Sequence, residues 1–293
     1  MSRTDSHQHF WRLSRGDYTW LSAGVPALAP LVRDFLPPDL EPLMRSSGVT
    51  QTVLVQAADS VGETEFMLDL AARNDFIGGV VGWVDLSRAD AVATLERLAV
   101  HPKFKGVRPM LQDLPQVDWI AQAPRPEAVR AMIRLGLRFD ALVKPEHLGA
   151  LLRFLRAWPE LPAVIDHAAK PRLAEGWQGA WAALWRSRMA EIASLPQVSC
   201  KFSGLVTELP APACASTHAT MAALRPVWDS LLRWFGPARM MWGSDWPVLS
   251  LAASHAQWVA VSAAFIGELS PADQARVWGG CARRFYGLQE AAA

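Results

Sequence analysis

Three short segments of this chain carry side chains suited to one piece of chemistry. The first is His7-Gln8-His9, two imidazoles two residues apart. On a strand that spacing puts both rings on one face. The second is Asp166-His167, which closes the apolar run Ala163-Val164-Ile165. The third is Trp242-Gly243-Ser244-Asp245-Trp246-Pro247, where a glycine, an acidic residue and a proline break a strand. Each has an ordinary reading. A histidine pair can be core, a strand-end histidine can be supporting structure, and an aspartate in a turn is commonly a turn former. Together, three histidines and one aspartate make a ligand set for a divalent metal such as Zn²⁺. They equally suit polarising a carbonyl and taking a proton from water.

These residues need a frame that brings strand ends together. Short β-rich runs at residues 52–56, 78–84, 104–110, 137–143, 162–167, 198–203 and 240–245, with residues 3–9 added at the start, predict eight strands. Helical spacing at 61–74, 89–100, 126–135, 145–157, 177–193, 219–235 and 252–267 places helices between them. A last helix starts with Ser270 as cap and Pro271 in the first position, and runs to about Arg284. Eightfold strand–helix alternation is the pattern of a (β/α)8 TIM barrel. We expect one such domain over residues 1–293, with some distortion. The segments 16–35 and 209–216 would be extended loops over its C-terminal mouth, where the sites of such barrels lie. A doubly wound dinucleotide fold is disfavoured, because the first strand ends in histidines and not in a glycine-rich loop.

Composition narrows the function. The 293 residues are 51% hydrophobic and 19% charged, too apolar for a disordered chain. The net charge is +1 and no basic stretch stands out, so no nucleic-acid partner is expected. No apolar run approaches the ~20 residues of a membrane span. No charged-then-apolar leader precedes Asp5. Three scattered cysteines, Cys200, Cys214 and Cys281, make a poor disulfide framework. The expectation is a reducing, cytoplasmic compartment. Of the 14 tryptophans, most belong in the core and some in a pocket wall.

The segments 5–11 (DSHQHFW), 105–108 (KGVR), 164–171 (VIDHAAKP), 201–208 (KFSGLVTE) and 241–248 (MWGSDWPV), in this order, resemble the amidohydrolase superfamily. They are most similar to its amidohydrolase-related lactonase branch, which includes sugar-acid and 2-pyrone-4,6-dicarboxylate lactonases. Residues 278–286 fit the closing helix of that family. The resemblance implies roles: His7 and His9 as the strand-one pair, His167 as the histidine at the substrate carbonyl or metal, Asp245 as general base. Arg108 would orient substrate, against the ordinary reading of a surface salt bridge. Lys170 and Lys201 are weaker substrate-binding candidates. Trp83, Trp242 and Trp246 are candidates to pack on a sugar ring, with core packing the alternative for each. Glu208 is open between capping and substrate contact.

Lys105 lies near strand four, but no second-metal set is visible, so one metal is the ceiling, most simply Zn²⁺. Members of this branch that work without metal leave metal-independent catalysis open. The expected activity is hydrolysis of a sugar-acid lactone, preferably a neutral aldonolactone, a small-molecule partner. Two alternatives are a metal-dependent non-oxidative decarboxylase of an aromatic or unsaturated acid and a non-catalytic binding barrel. Oligomeric state is not legible.

Overall fold

The computed structural model describes residues 2–22 and 24–289. Its strands are β1 (Arg3–Gln8), β2 (Val49–Val55), β3 (Ile77–Gly82), β4 (Phe104–Val107), β5 (Arg138–Ala141), β6 (Ala163–Ile165), β7 (Val198–Phe202) and β8 (Met240–Trp242). They pair in parallel in sequence order. All eight expected strands are present. Most end earlier than expected, because their last residues leave the ladder and become the mouth. The barrel closes without a regular β8–β1 ladder. Two bonds make the seam: Asp245 N–H to His7 O at 2.8 Å and His9 N–H to Trp246 O at 2.7 Å. The distortion therefore falls on the segments that carry His7, His9 and Asp245.

The helices are α1 (Pro37–Ser47), α2 (Val61–Arg73), α3 (Ala91–Ala99), α4 (Trp119–Gln122), α5 (Pro126–Arg134), α6 (Leu148–Ala157), α7 (Ala180–Ala193), α8 (Thr217–Phe235), α9 (His255–Ile266), α10 (Pro271–Ala275) and α11 (Cys281–Tyr286). Serine side chains cap α2, α8, α9 and α10, each accepting a backbone N–H three residues on. The one-turn α4 and the longer α1 lie outside the helices expected from sequence. Helix α1 carries three prolines, but Pro37 and Pro38 occupy the first turn, where no N–H is needed. Asp39 accepts from the Leu36 N–H at 2.9 Å to close that end. The expected last helix is interrupted at Arg276–Gly280 by a π turn. A Cβ on Gly279 would lie 2.8 Å from Thr4 N, so the glycine lets this turn press against β1.

Helix α11 plugs the barrel end opposite the mouth. Cys281, Ala282 and Tyr286 pack there with Val53, Val55, Val81, Val164 and Met241, which point inward from the strands. All three cysteines are free and buried. Among the described residues, no helix is long and apolar enough to cross a membrane.

Candidate active site

Asp245 is the centre of the constellation. Its Oδ1 lies 3.3 Å from His9 Nε2, 3.7 Å from His7 Nε2 and 3.7 Å from His167 Nε2. All four residues are buried. Strand alternation and the β1–β8 seam bring them together as the sequence predicts. Asp5, unassigned from sequence, ties the seam: its Oδ1 accepts from His7 N–H at 3.1 Å and Ser244 N–H at 2.8 Å. Burial pushes the Asp5 carboxyl up to about 6.

The backbone holding two of these groups is strained. His167, Ala168, Ala169 and Lys170 form a left-handed turn with φ between 44° and 60°, and Asp245 has φ 59°. Left-handed backbone costs a non-glycine residue roughly 1–2 kcal/mol. Such strain persists where the surroundings over-determine it. Here Trp185 Nε1 donates to Ala168 O at 2.7 Å, and His167 Nδ1 meets Ser203 Oγ at 3.0 Å. Gly204, itself at φ 60°, backs the imidazole so closely that a Cβ would sit 2.3 Å from His167 Nδ1.

The electrostatics favour a neutral-imidazole, ionised-carboxylate site. Burial lowers His167 to about 4. Burial and the Lys201 ammonium hold His7 well below its usual value. Burial opposes ionisation of Asp245, but His167, His9 and His7 overcome it and hold the carboxyl well below the usual range. Asp166 follows the same logic: Lys201, His7 and Arg108 outweigh its burial.

A divalent cation fits this set in type, charge and lone pairs. His9 Nδ1 sits 2.8 Å from Val55 O, which can only accept, so Nδ1 carries a hydrogen. Its Nε2 faces Asp245 Oδ1 at 3.3 Å, an arrangement that a proton or a cation between the two would satisfy. Around the site, buried Asp5, Asp140, Asp166 and Asp245 outnumber the buried cations Lys201 and Arg108 by two. Glu63, buried beyond the end of β2, is pushed up to about 8 by burial, against the backbone N–H groups of Ala57 and Ala58 that it accepts from. The possible ligands fall into two overlapping groups, His7–His9–Asp245 and His7–Asp166–His167. His167 thus joins the second group and not the first.

A cavity of about 360 Å³ opens above Asp245, within the size range of small-molecule sites. His9, Arg108, His167, Lys170, Glu208 and Asp245 form its polar side. Trp20, Leu28, Met110 and Val248 form its apolar side. Arg108 is buried, not a surface ion-pair residue. Its Nη1 lies 3.5 Å from Asp166 Oδ2, its Nη2 donates to Gln56 O, and Gln56 Nε2 returns a bond to Arg108 O at 2.6 Å. Lys170 and Glu208 face each other at 4.0 Å on the rim. The 16–35 loop covers the mouth through Trp20 and Leu28. The 209–216 loop lies beside it, and Leu209, Ala211 and Cys214 line a separate cavity.

Four of the predicted substrate-binding residues are not in the cavity wall. Met241 points into the barrel, so its neighbour Trp242 must point out. Trp242 Nε1 donates to Ser262 Oγ at 2.9 Å, toward α9. Trp246 packs edge-on against Phe10 and Phe35. Trp83 sits half-buried at the end of β3, tied to Thr64 through its backbone N–H. Lys201 is fully buried below His7. The aromatic wall is Trp20 instead, pinned by Nε1 donation to Ala57 O at 2.7 Å.

The fold and this cluster define a barrel hydrolase of the metal-site type, and residues 4–288 match the amidohydrolase family. The chain belongs to that family. It is 45% identical over 288 residues to an L-fucono-1,5-lactonase from Burkholderia ambifaria, covering 97% of this chain and 95% of that protein. It is 40% identical over 296 residues to an L-fucono-1,5-lactonase from Burkholderia multivorans, covering 99% and 97%. A crystal structure of an amidohydrolase from Burkholderia multivorans with bound Zn superposes with a TM-score of 0.89 at 36% identity, covering 99% of this chain and all of that one.

Proposed function

We propose that the whole chain is one catalytic unit that hydrolyses a sugar-acid lactone, with L-fucono-1,5-lactone the first candidate. Three imidazoles gathered about one carboxylate, at the base of a half-apolar cavity, are the observation that carries this reading. The lactone lies with its carbonyl over the histidines. Its hydroxyl edge meets Arg108, Lys170 and Glu208, and its carbon face meets Trp20. Asp245 takes a proton from water as that water attacks the carbonyl carbon. The oxyanion that forms is stabilised by the imidazole donors and the Arg108 guanidinium; one such donor is commonly worth about 3–4 kcal/mol. Held ionised by its neighbours, Asp245 readily gives the proton up to the departing ring alkoxide. The leaving group stays attached, so one residue serves as base and then acid. When a divalent cation is bound, Zn²⁺ in this proposal, His9 and Asp245 with a second imidazole would hold it, and it would polarise the carbonyl. We assign the enzyme to the cytoplasm.

The test is proton release, followed with a pH indicator, on a panel of aldonolactones before and after chelation. Acid from a six-membered sugar lactone, well above spontaneous hydrolysis, is the expected result. Release of carbon dioxide from an aromatic acid, with every lactone inert, would overturn it.

A further inference from the structure

Lys201 is a charged residue that the cavity does not use. It lies inside the barrel one layer below the mouth, with no exposed surface. A lysine ammonium has three hydrogens and no lone pair. Its Nζ donates to Asp140 Oδ2 at 2.6 Å and meets His7 Nδ1 at 3.0 Å, and Asp166 Oδ1 lies 3.0 Å away as an ion-pair partner. Asp140 Oδ2 in turn accepts from Tyr286 Oη at 2.7 Å. A continuous polar chain therefore runs from the plugging helix α11 up to the histidine under the cavity.

We propose that Lys201 is a positioning residue that locks His7 as the Nε2–H tautomer, turning this buried imidazole into a hydrogen-bond donor toward Asp245 at the base of the cavity. The opposite tautomer would set an Nδ1–H against the ammonium at 3.0 Å and leave one Lys201 hydrogen without an acceptor. Its compensations are poor: Asp166 Oδ1 lies 3.5 Å from Nδ1, and Arg108 Nη1 lies 3.5 Å from Nε2, both at the outer edge of hydrogen bonding. With Nδ1 accepting from Lys201, the Nε2–H points to the side where Asp245 Oδ1 sits at 3.7 Å. His7 and His9, two residues apart, then differ at Nδ1: that of His7 accepts from Lys201, and that of His9 donates to Val55 O.

The decisive experiment is long-range ¹⁵N–¹H correlation on the full-length, ¹⁵N-histidine-labelled protein at neutral pH. His7 is assigned by the signals lost in His7→Gln and His9 by those lost in His9→Gln. The expected pattern is a protonated Nε2 and a bare Nδ1 for His7, and a protonated Nδ1 for His9. A protonated Nδ1 on His7 would overturn the proposal, whatever the substrate proves to be. The kinetic consequence rests on the lactonase reading. Lys201→Met should lower kcat about tenfold to hundredfold with KM nearly unchanged, the usual reach of a group acting through another. An unchanged kcat in that variant, if folded, would contradict it. Because Lys201→Met strands Asp140 and Asp166 without their cation, Tyr286→Phe is the gentler companion. It removes only the hydroxyl on Asp140 and should move the His7 Nδ1 resonance while leaving that of His147 in place. A His7 resonance that does not move would break the relay.

Discussion

The two ends of the barrel solve different problems with the same eight strands. The floor is relaxed and apolar: inward valines and Met241 close against Cys281, Ala282 and Tyr286. The mouth is polar and strained: five non-glycine residues with left-handed backbone hold His167, Lys170 and Asp245. Between them lies a buried layer of Lys201, Asp140 and Asp166. The contrast teaches that stability and chemistry are separated along the barrel axis. Floor residues fill space, while mouth residues hold geometry that their own backbone preferences oppose. Substitutions should divide accordingly.

The largest effect belongs to Asp245. Asp245→Asn keeps the volume and removes the base, so turnover should fall by roughly 10³-fold. The melting temperature should hold or rise, because the positive-φ aspartate conformation also suits asparagine. A variant of near-normal rate would remove the aspartate from its assigned role. Next comes Gly204→Ala. The added methyl meets His167 Nδ1 at 2.3 Å, and the residue must still adopt φ 60°. An ångström of misplacement in such a ring can cost about 10²-fold, so kcat should drop by tens of times or more, with a lowered melting temperature. An unaffected kcat would mean that His167 does not need its place.

The floor counterpart is Val53→Ala. It should lower stability by about 1–3 kcal/mol through a small cavity under the plug, measured by urea unfolding. Its kcat should stay within twofold of the parent. A large activity loss at full stability would erase the separation between the ends. The smallest effect lies outside both. His255, at the start of α9, is lowered to about 4 by burial. The unfolded chain binds its proton from about 6.5 downward, and the folded chain only near 4. Its contribution is therefore fully present above 6.5 and is lost as pH falls through that window. His255→Gln should flatten part of the acid limb of melting temperature between pH 7 and 4. An unchanged limb would remove His255 from the acid response.

Much of the mouth was legible because its signals are short and local. Period-two spacing put His7 and His9 on one face, and strand breaks located His167 and Asp245. The same rule, applied further, excludes Trp242 once Met241 faces inward, and sends Lys201 into the barrel below the cavity. Asp140, a lone carboxylate within the apolar strand LRFDALV, was a readable sign of that buried layer. The left-handed turn at His167–Lys170 was not readable, since two alanines carry no preference for it. Trp185, Ser203 and Gly204 impose it from elsewhere in the chain. Trp20 sits in a loop, where no periodicity marks an orientation. Helix α1 was hidden by its prolines, whose place in a first turn depends on where the helix begins.

The central claim is that water, activated at Asp245, attacks the lactone carbonyl. Turnover of L-fucono-1,5-lactone in ¹⁸O-labelled water, corrected for spontaneous hydrolysis and read by mass spectrometry of the product, tests it directly. The account predicts one ¹⁸O in the product carboxylate and none in the ring-derived hydroxyl. Label in that hydroxyl, or enzymatic ring opening without label, would contradict it.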